Sequence, residues 1–288
     1  MDWINAILQG VLVGGLFALF AAGLSLIFGV MRLVNLAHGD LIVLGAFLAL
    51  AVVTGLGLHP LLSLLIVAPV MFALGYGLQR AILNRTLGKD LLPPLVVTFG
   101  LSIIIQNALL EVFSADTQRL QAGPMETASL QMGAISIGAF PLLTFIVAVA
   151  VIGGMELFMR RTALGRVFRA TSDKAEIVPL MGVNPKQVFA IAMGVSLVIC
   201  AIAGVLLGVR TNFSPGAGPA RLLFAFEAVI IGGLGSLWGT LAGGVILGVS
   251  QAIGAKINPG FQILAGHIVF LAVLVVRPQG LFPRTRDK

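Results

Sequence analysis

The fold predicted by the sequence is an all-α, polytopic membrane protein, and three observations predict it. Hydrophobic residues make up 58% of the 288 and charged residues only 10%, against roughly 25% charged in a soluble domain. Mean hydropathy is +1.07. The 36 glycines suit helices that pack backbone to backbone in lipid. At about 20 residues per helical span, the chain forms one transmembrane domain, 1–288, with roughly eight to ten passes. That leaves no room for a separate soluble catalytic domain. The net charge of +7, from 18 Lys+Arg against 11 Asp+Glu, would suggest nucleic acid in a soluble protein. Here the basic residues sit between apolar runs and read as loops flanking membrane helices, so the expected surroundings are a lipid bilayer and no nucleic acid. Cys200, inside an apolar run, is the single cysteine, which excludes a disulfide framework or a cysteine-based metal site.

Nine apolar segments follow in order: 3–30, 33–56, 60–83, 92–113, 137–159, 188–210, 221–235, 237–256 and 261–277. No Lys or Arg precedes the first, which is too long for the core of a signal peptide. Arg32 follows it, which puts the N-terminus outside. The connectors then alternate. Arg80, Arg85 and Lys89 outweigh Asp90 in the third; Glu111, Asp116 and Glu126 outweigh Arg119 after the fourth. The stretch 160–187 carries Arg160, Arg161, Arg166, Arg169, Lys174 and Lys186 against Asp173 and Glu176, and the tail carries Arg277, Arg284, Arg286 and Lys288 against Asp287. Basic connectors belong in the cytoplasm, so nine passes with the C-terminus inside are expected. Segment 221–235 is short and holds Glu227, so it reads as broken or re-entrant.

An internal echo accompanies this order. A long apolar helix, the polar block 31–40 and a Gly-containing run recur as helix 188–210, the block 211–219 and a Gly-rich run. Five spans separate the leading helices, so the two copies would be inverted, as in transporters whose broken helices meet near the midplane.

Enzyme motifs are missing. The sequence has no Walker A loop, no HExxH and no GxSxG, and His38, His59 and His267 lie far apart. Candidate pathway residues are polar groups at membrane depth. Asn35, His38 and Asp40 stand between apolar runs, with Gly39 permitting a helix break; the alternative is a solvated loop. Thr98, Ser102 and Gln106 recur every four residues on one helix face, either bonding to neighbouring helices or lining a path. Glu227 is either a carboxyl paired with another helix or part of a pathway. Gly232, Gly233, Gly235 and Ser236 suit a helix break or very close packing. The 160–187 loop reads as a docking surface for a cytoplasmic partner; the alternative is a solvated loop that only sets the topology. Leu164 and Phe168 share a helical face beside Arg166 and Arg169, and Gly165 allows close backbone approach. A second short helix from Asp173 would stop at Gly182 and at Asn184 and Pro185.

These residues resemble the LivH-type permeases, inner-membrane subunits of bacterial branched-chain amino acid ABC importers. The resemblance rests on GGLFAL from Gly14, GLSLIFGV from Gly23 and VNLAHGD over 34–40. It continues with TALGR over 162–166, Glu176 through Met181 to Asn184, GGLGS over 232–236 and RPQGLF over 277–282. It implies alternating access driven by two cytoplasmic ABC ATPases, with no cofactor and no enzymatic activity in this chain. It further implies a periplasmic substrate-binding protein and a second permease subunit, a paralogue favoured over a second copy. The loop 160–187 becomes the ATPase coupling element, with Leu164, Gly165, Arg166, Phe168, Arg169, Glu176 and Gly182 as its residues. Two departures from the family's pattern stand out: Glu176 is followed by bulkier residues and Pro179, and Glu227 replaces a small neutral residue. Similar permeases carry urea, short amides and other amino acids, so the cargo stays open at this point. The alternative is a proton-coupled secondary transporter using Asp40 and Glu227.

Overall fold

A computed structural model describes residues 2–86, 92–132, 135–174 and 178–282. Ten α-helices are described: α1 (Asp2–Met31), α2 (His38–Leu56), α3 (Pro60–Ala81), α4 (Leu92–Phe113), α5 (Ala139–Arg161), α6 (Ala163–Asp173), α7 (Pro185–Arg210), α8 (Gly218–Gly232), α9 (Leu237–Ile257) and α10 (Gln262–Val276). The chain is thus an all-α polytopic membrane protein, and eight of its helical segments are long and apolar enough to cross a bilayer. The exceptions are α6, which is amphipathic, and α8. At 15 residues α8 is about 22 Å long, short of a hydrocarbon core of about 30 Å. A small antiparallel hairpin, β1 (Ser129–Met132) with β2 (Ile135–Gly138), sits in the 114–138 connector, which the apolar pattern treats only as a loop.

Helices α1 and α7 are mostly buried and form the centre, whereas α10 lies on the periphery. Glycines set the α1–α9 contact. A Cβ on Gly10 would sit 2.7 Å from Val249 Cα, and one on Gly14 would sit 2.5 Å from Val245 Cα. Gly244 and Gly248 meet Gly14 and Gly10 from the other side. This is small-residue packing at a spacing of four, the arrangement that lets membrane helices approach without a hydrophobic drive between them.

Contacts sort the connectors onto two ends of the bundle. At one end, Gln9 Nε2 donates to the Ser136 carbonyl at 3.1 Å, and Gln118 and Phe213 form a β-bridge. At the opposite end, Ser172 Oγ donates to the Gly29 carbonyl, Asn84 Nδ2 donates to the Lys186 carbonyl at 3.2 Å, and the Phe282 N–H donates to the Gly232 carbonyl at 3.0 Å.

Two helices are broken in the interior. The chain leaves α1 through Arg32, at a left-handed φ of 53°, and residues 33–37 are not helical. They double back, because His38 at the start of α2 lies 2.8 Å from the Phe20 carbonyl. Phe20 is roughly 16 Å along α1 from Met31 at 1.5 Å per residue. From the end that holds Gln118 and Phe213, the chain leaves α7 and turns back through 211–217, and α8 begins at Gly218 against Gly39 and Asp40. The break therefore falls at 32–37. Gly39, expected to permit it, lies inside the first turn of α2, and a Cβ there would strike the Gly218 carbonyl and the Leu222 N–H. A second expectation also changes: Asn184 and Pro185 start a helix. The Asn184 side chain caps α7 by accepting from the Lys186 N–H at 3.0 Å, and Pro185 occupies the first turn, where its missing N–H costs nothing.

Candidate functional site

The N-termini of α2 and α8 meet inside the bundle, and Asn35, His38, Asp40, Thr98, Ser102 and Gln106 converge there. Asn35 is fully buried; its Oδ1 accepts from the Ala37 N–H at 3.0 Å and its carbonyl accepts from the His38 N–H at 3.2 Å. The side chain thus replaces the backbone partners lost at the break. His38, also fully buried, donates through Nε2 to the Phe20 carbonyl, since a carbonyl can only accept. That orients Nδ1 toward the Cys200 thiol at 3.7 Å. Leu36 donates its N–H to Thr98 Oγ1 at 3.2 Å. Ser102 Oγ donates to Asp40 Oδ2 at 2.5 Å, and Gln106 Nε2 donates to Ser102 Oγ at 3.1 Å. The stripe on α4 is therefore the wall that receives the broken segment.

Asp40 is 1% exposed, and its Oδ1 has no hydrogen-bond partner among the described residues. It faces Gly218, where an added Cβ would overlap the carboxylate. Helix N-termini favour negative charge, which accounts for an acid at the place where two of them abut. The junction is packed against helix backbone, so a small change in the α2–α8 contact would have to move both helices.

Glu227 takes no part in this junction. It lies nine residues beyond Gly218 on α8, about 13 Å along the axis, and its Oε1 pairs with His267 Nδ1 of α10. Oε2 has no partner, and the carboxyl is 1% exposed. His267 was missed as its partner, although it is the one ionisable residue between 262 and 276. Asp40 and Glu227, paired in the proton-coupled alternative, are not brought together.

Gly232, Gly233, Gly235 and Ser236 form the α8–α9 hairpin, at the same end of the bundle as Gly29 and Ser172. Gly233 and Gly235 take φ of 105° and 77°, Ser236 Oγ accepts from the Gly239 N–H at 3.1 Å, and Gly232 packs on Gly239 backbone. Of these, Gly235 lines a cavity of about 490 Å³, together with Ser25, Gly29, Arg32, Arg169 and Asp173. This cavity lies between α1, α6 and the hairpin.

The α6 helix closes that cavity. Thr162 caps it, accepting from the Gly165 N–H at 3.0 Å. Gly165 rests on the backbone of Phe158 and Met159, with no space for a Cβ. Phe168 is fully buried, edge-on to Phe158 with ring centroids 6.0 Å apart, in a cluster with Ile152, Met159 and Val188. The sequence pairs Leu164 with Phe168 on one docking face, and the structure separates them. Leu164 is 44% exposed, while Phe168 fixes the helix to its own chain. Arg166 and Arg169 are exposed. Beyond α6, Leu180 and Met181 are 86% and 72% exposed, just before Gly182 at φ 76°. Their position in a charged loop was the available signal for an outward apolar surface. Glu176 lies outside the described residues.

Residues 6–276 match the family described as the permease component of the branched-chain amino acid transport system. The chain is 30% identical to the high-affinity branched-chain amino acid transport permease BraD of Pseudomonas aeruginosa, over 98% of this chain and 96% of that protein. It is 26% identical to LivH of Escherichia coli K12, again over 98% and 96%. It is 27% identical to LivM of Salmonella typhimurium over 95% of this chain and 69% of that protein. No solved structure matches.

Proposed function

The chain belongs to the branched-chain amino acid transport permease family, and from that premise we propose that it moves branched-chain or related small amino acids through the bacterial inner membrane as one permease subunit of an ABC importer. With no nucleotide-binding motif of its own, it takes its force from two cytoplasmic ATPases and its cargo from a periplasmic binding protein. A second permease subunit, a LivM-like paralogue, completes the pathway. The proton-coupled alternative has no support.

The observation that carries the mechanism is the pair of broken helices abutting at Gly39, Asp40 and Gly218. Irregular backbone at membrane depth persists only where protein or a cavity covers it, and two half-helices that meet end to end can shift as a unit. We read α1 to α2 and α7 to α8 as inverted repeats. Counting 211–217 with α8 as a crossing, the chain passes the bilayer nine times, with the N-terminus periplasmic and the C-terminus cytoplasmic. The region 160–187 is then the cytoplasmic coupling element. Leu164, Leu180 and Met181 face the ATPase. Phe168 and Gly165 transmit its movement to α1, α5 and the inner cavity.

Reconstitution tests this reading. Proteoliposomes holding both permeases and the ATPases should take up leucine only with ATP and the loaded binding protein, and vanadate should stop uptake. Uptake that survives loss of the ATPases but collapses with a protonophore would overturn it.

A further inference from the structure

Away from the broken-helix junction, a cleft of about 680 Å³ opens between the foot of α3 and the start of α7. Among the described residues it is lined by Arg80, Asn84, Arg85, Asn184, Lys186 and Gln187, so three of these six are cations and none of the six is a carboxylate. Charge bias on a loop needs only a number of basic residues. It does not require groups about 100 residues apart in sequence to converge on one cleft. The walls are fixed by hydrogen bonds. Gln79, fully buried, donates through Nε2 to Asn84 Oδ1 at 3.1 Å, and Asn84 in turn ties the foot of α3 to the Lys186 carbonyl. The positive end of the 26-residue α7 adds to the field at the same place.

The depth of the cleft is marked by Tyr76, the chain's single tyrosine. Arg80 Nη1 donates to its hydroxyl at 2.9 Å, and the guanidinium lies 5.9 Å from the ring centroid. Tyrosines of membrane proteins concentrate at the headgroup level. Ile82, two residues beyond Arg80 in the chain, is 42% exposed, and Leu65, Ile66 and Val70 are exposed farther along α3.

We propose that this cleft binds the headgroup phosphate of an anionic phospholipid, with Arg80, Arg85 and Lys186 as its ligands and the acyl chains lying along α3. Guanidinium groups match the phosphate oxygens in a two-pronged geometry, and basic pockets between helices at a membrane surface suit acidic headgroups. A soluble anion would use the cations alone; a lipid also uses the adjacent apolar face. The proposal needs only a membrane-spanning bundle and is independent of the cargo.

Native mass spectrometry of the permease, purified with its partner subunits from nanodiscs of mixed phosphatidylglycerol and phosphatidylethanolamine, tests it. The wild-type chain should retain phosphatidylglycerol in preference, and inorganic phosphate at millimolar concentration should not displace it. Arg80→Gln, Arg85→Gln and Lys186→Gln should each lower that preference by about fivefold, and the triple variant by on the order of a hundredfold. Lys186→Arg should keep it. Displacement by inorganic phosphate would identify a free-anion site and overturn the lipid assignment. Unchanged lipid retention in the single variants would overturn the site. Loss of a partner subunit with lipid retention unchanged would put a protein contact there instead, which also overturns it. The single variants and the phosphate competition on the wild-type chain decide the matter even if the triple variant fails to fold.

Discussion

Replacing Phe168 by alanine removes a fully buried ring packed edge-on against Phe158. It should loosen α6 from the body of the chain while leaving its outward residues intact. Truncating a buried phenylalanine costs about 3–5 kcal/mol. Because α6 lies at the end of the bundle, where neighbours can collapse into the space, the lower figure applies. At 1.36 kcal/mol per tenfold, about 3 kcal/mol raises the detached population of α6 by roughly 150-fold. The Thr162 cap and the bond from Ser172 to Gly29 remain, so the helix should still form. Hydrogen exchange over 163–173 reads this directly: protection there should fall while that of α7 is kept. Uptake should drop although the ATPase still co-purifies, because the failing contact is internal to the permease. Leu180→Ala with Met181→Ala should do the reverse, weakening ATPase co-purification with exchange over 163–173 unchanged. Unaltered exchange in Phe168→Ala would refute the anchoring role, and higher exchange with normal uptake would refute α6 as the transmitting element.

Other consequences follow from the same contacts. Gly218→Ala places a methyl group on the Asp40 carboxylate and should lower the thermal stability of the detergent-purified chain; a melting temperature equal to wild type would contradict the packed junction. Asp40→Asn keeps the shape but weakens acceptance from Ser102, and should reduce uptake with insertion unchanged, as measured by transport and by membrane-fraction immunoblot. Across Glu227→Gln and His267→Ala, a double-mutant cycle on thermal stability should give a coupling of about 1–3 kcal/mol; additive losses would mean the pair contributes no coupling. Cysteines at positions 115 and 166 probe orientation, because both sites are exposed and the native Cys200 is buried. An impermeant thiol reagent should label 115 and spare 166 in intact spheroplasts.

The class of fold and the apolar segments that become its long helices were legible in the sequence, because hydropathy acts locally and a bilayer imposes one length on every span. So was the block 34–40, since polar residues between two apolar runs must be satisfied by something. The same periodicity that grouped Thr98, Ser102 and Gln106 predicted their common face, and the structure supplies what that face holds. Helical spacing also set Phe168 beside Leu164, but it cannot say which side of an amphipathic helix faces its own chain and which faces a partner. Only the packing of α6 on Phe158 and Met159 decided that. The meeting of Gly39 with Gly218 and of Glu227 with His267 required the tertiary structure for the same reason. Each joins residues 40 or more positions apart, and nothing in a one-dimensional pattern measures the distance between helices that the fold brings together.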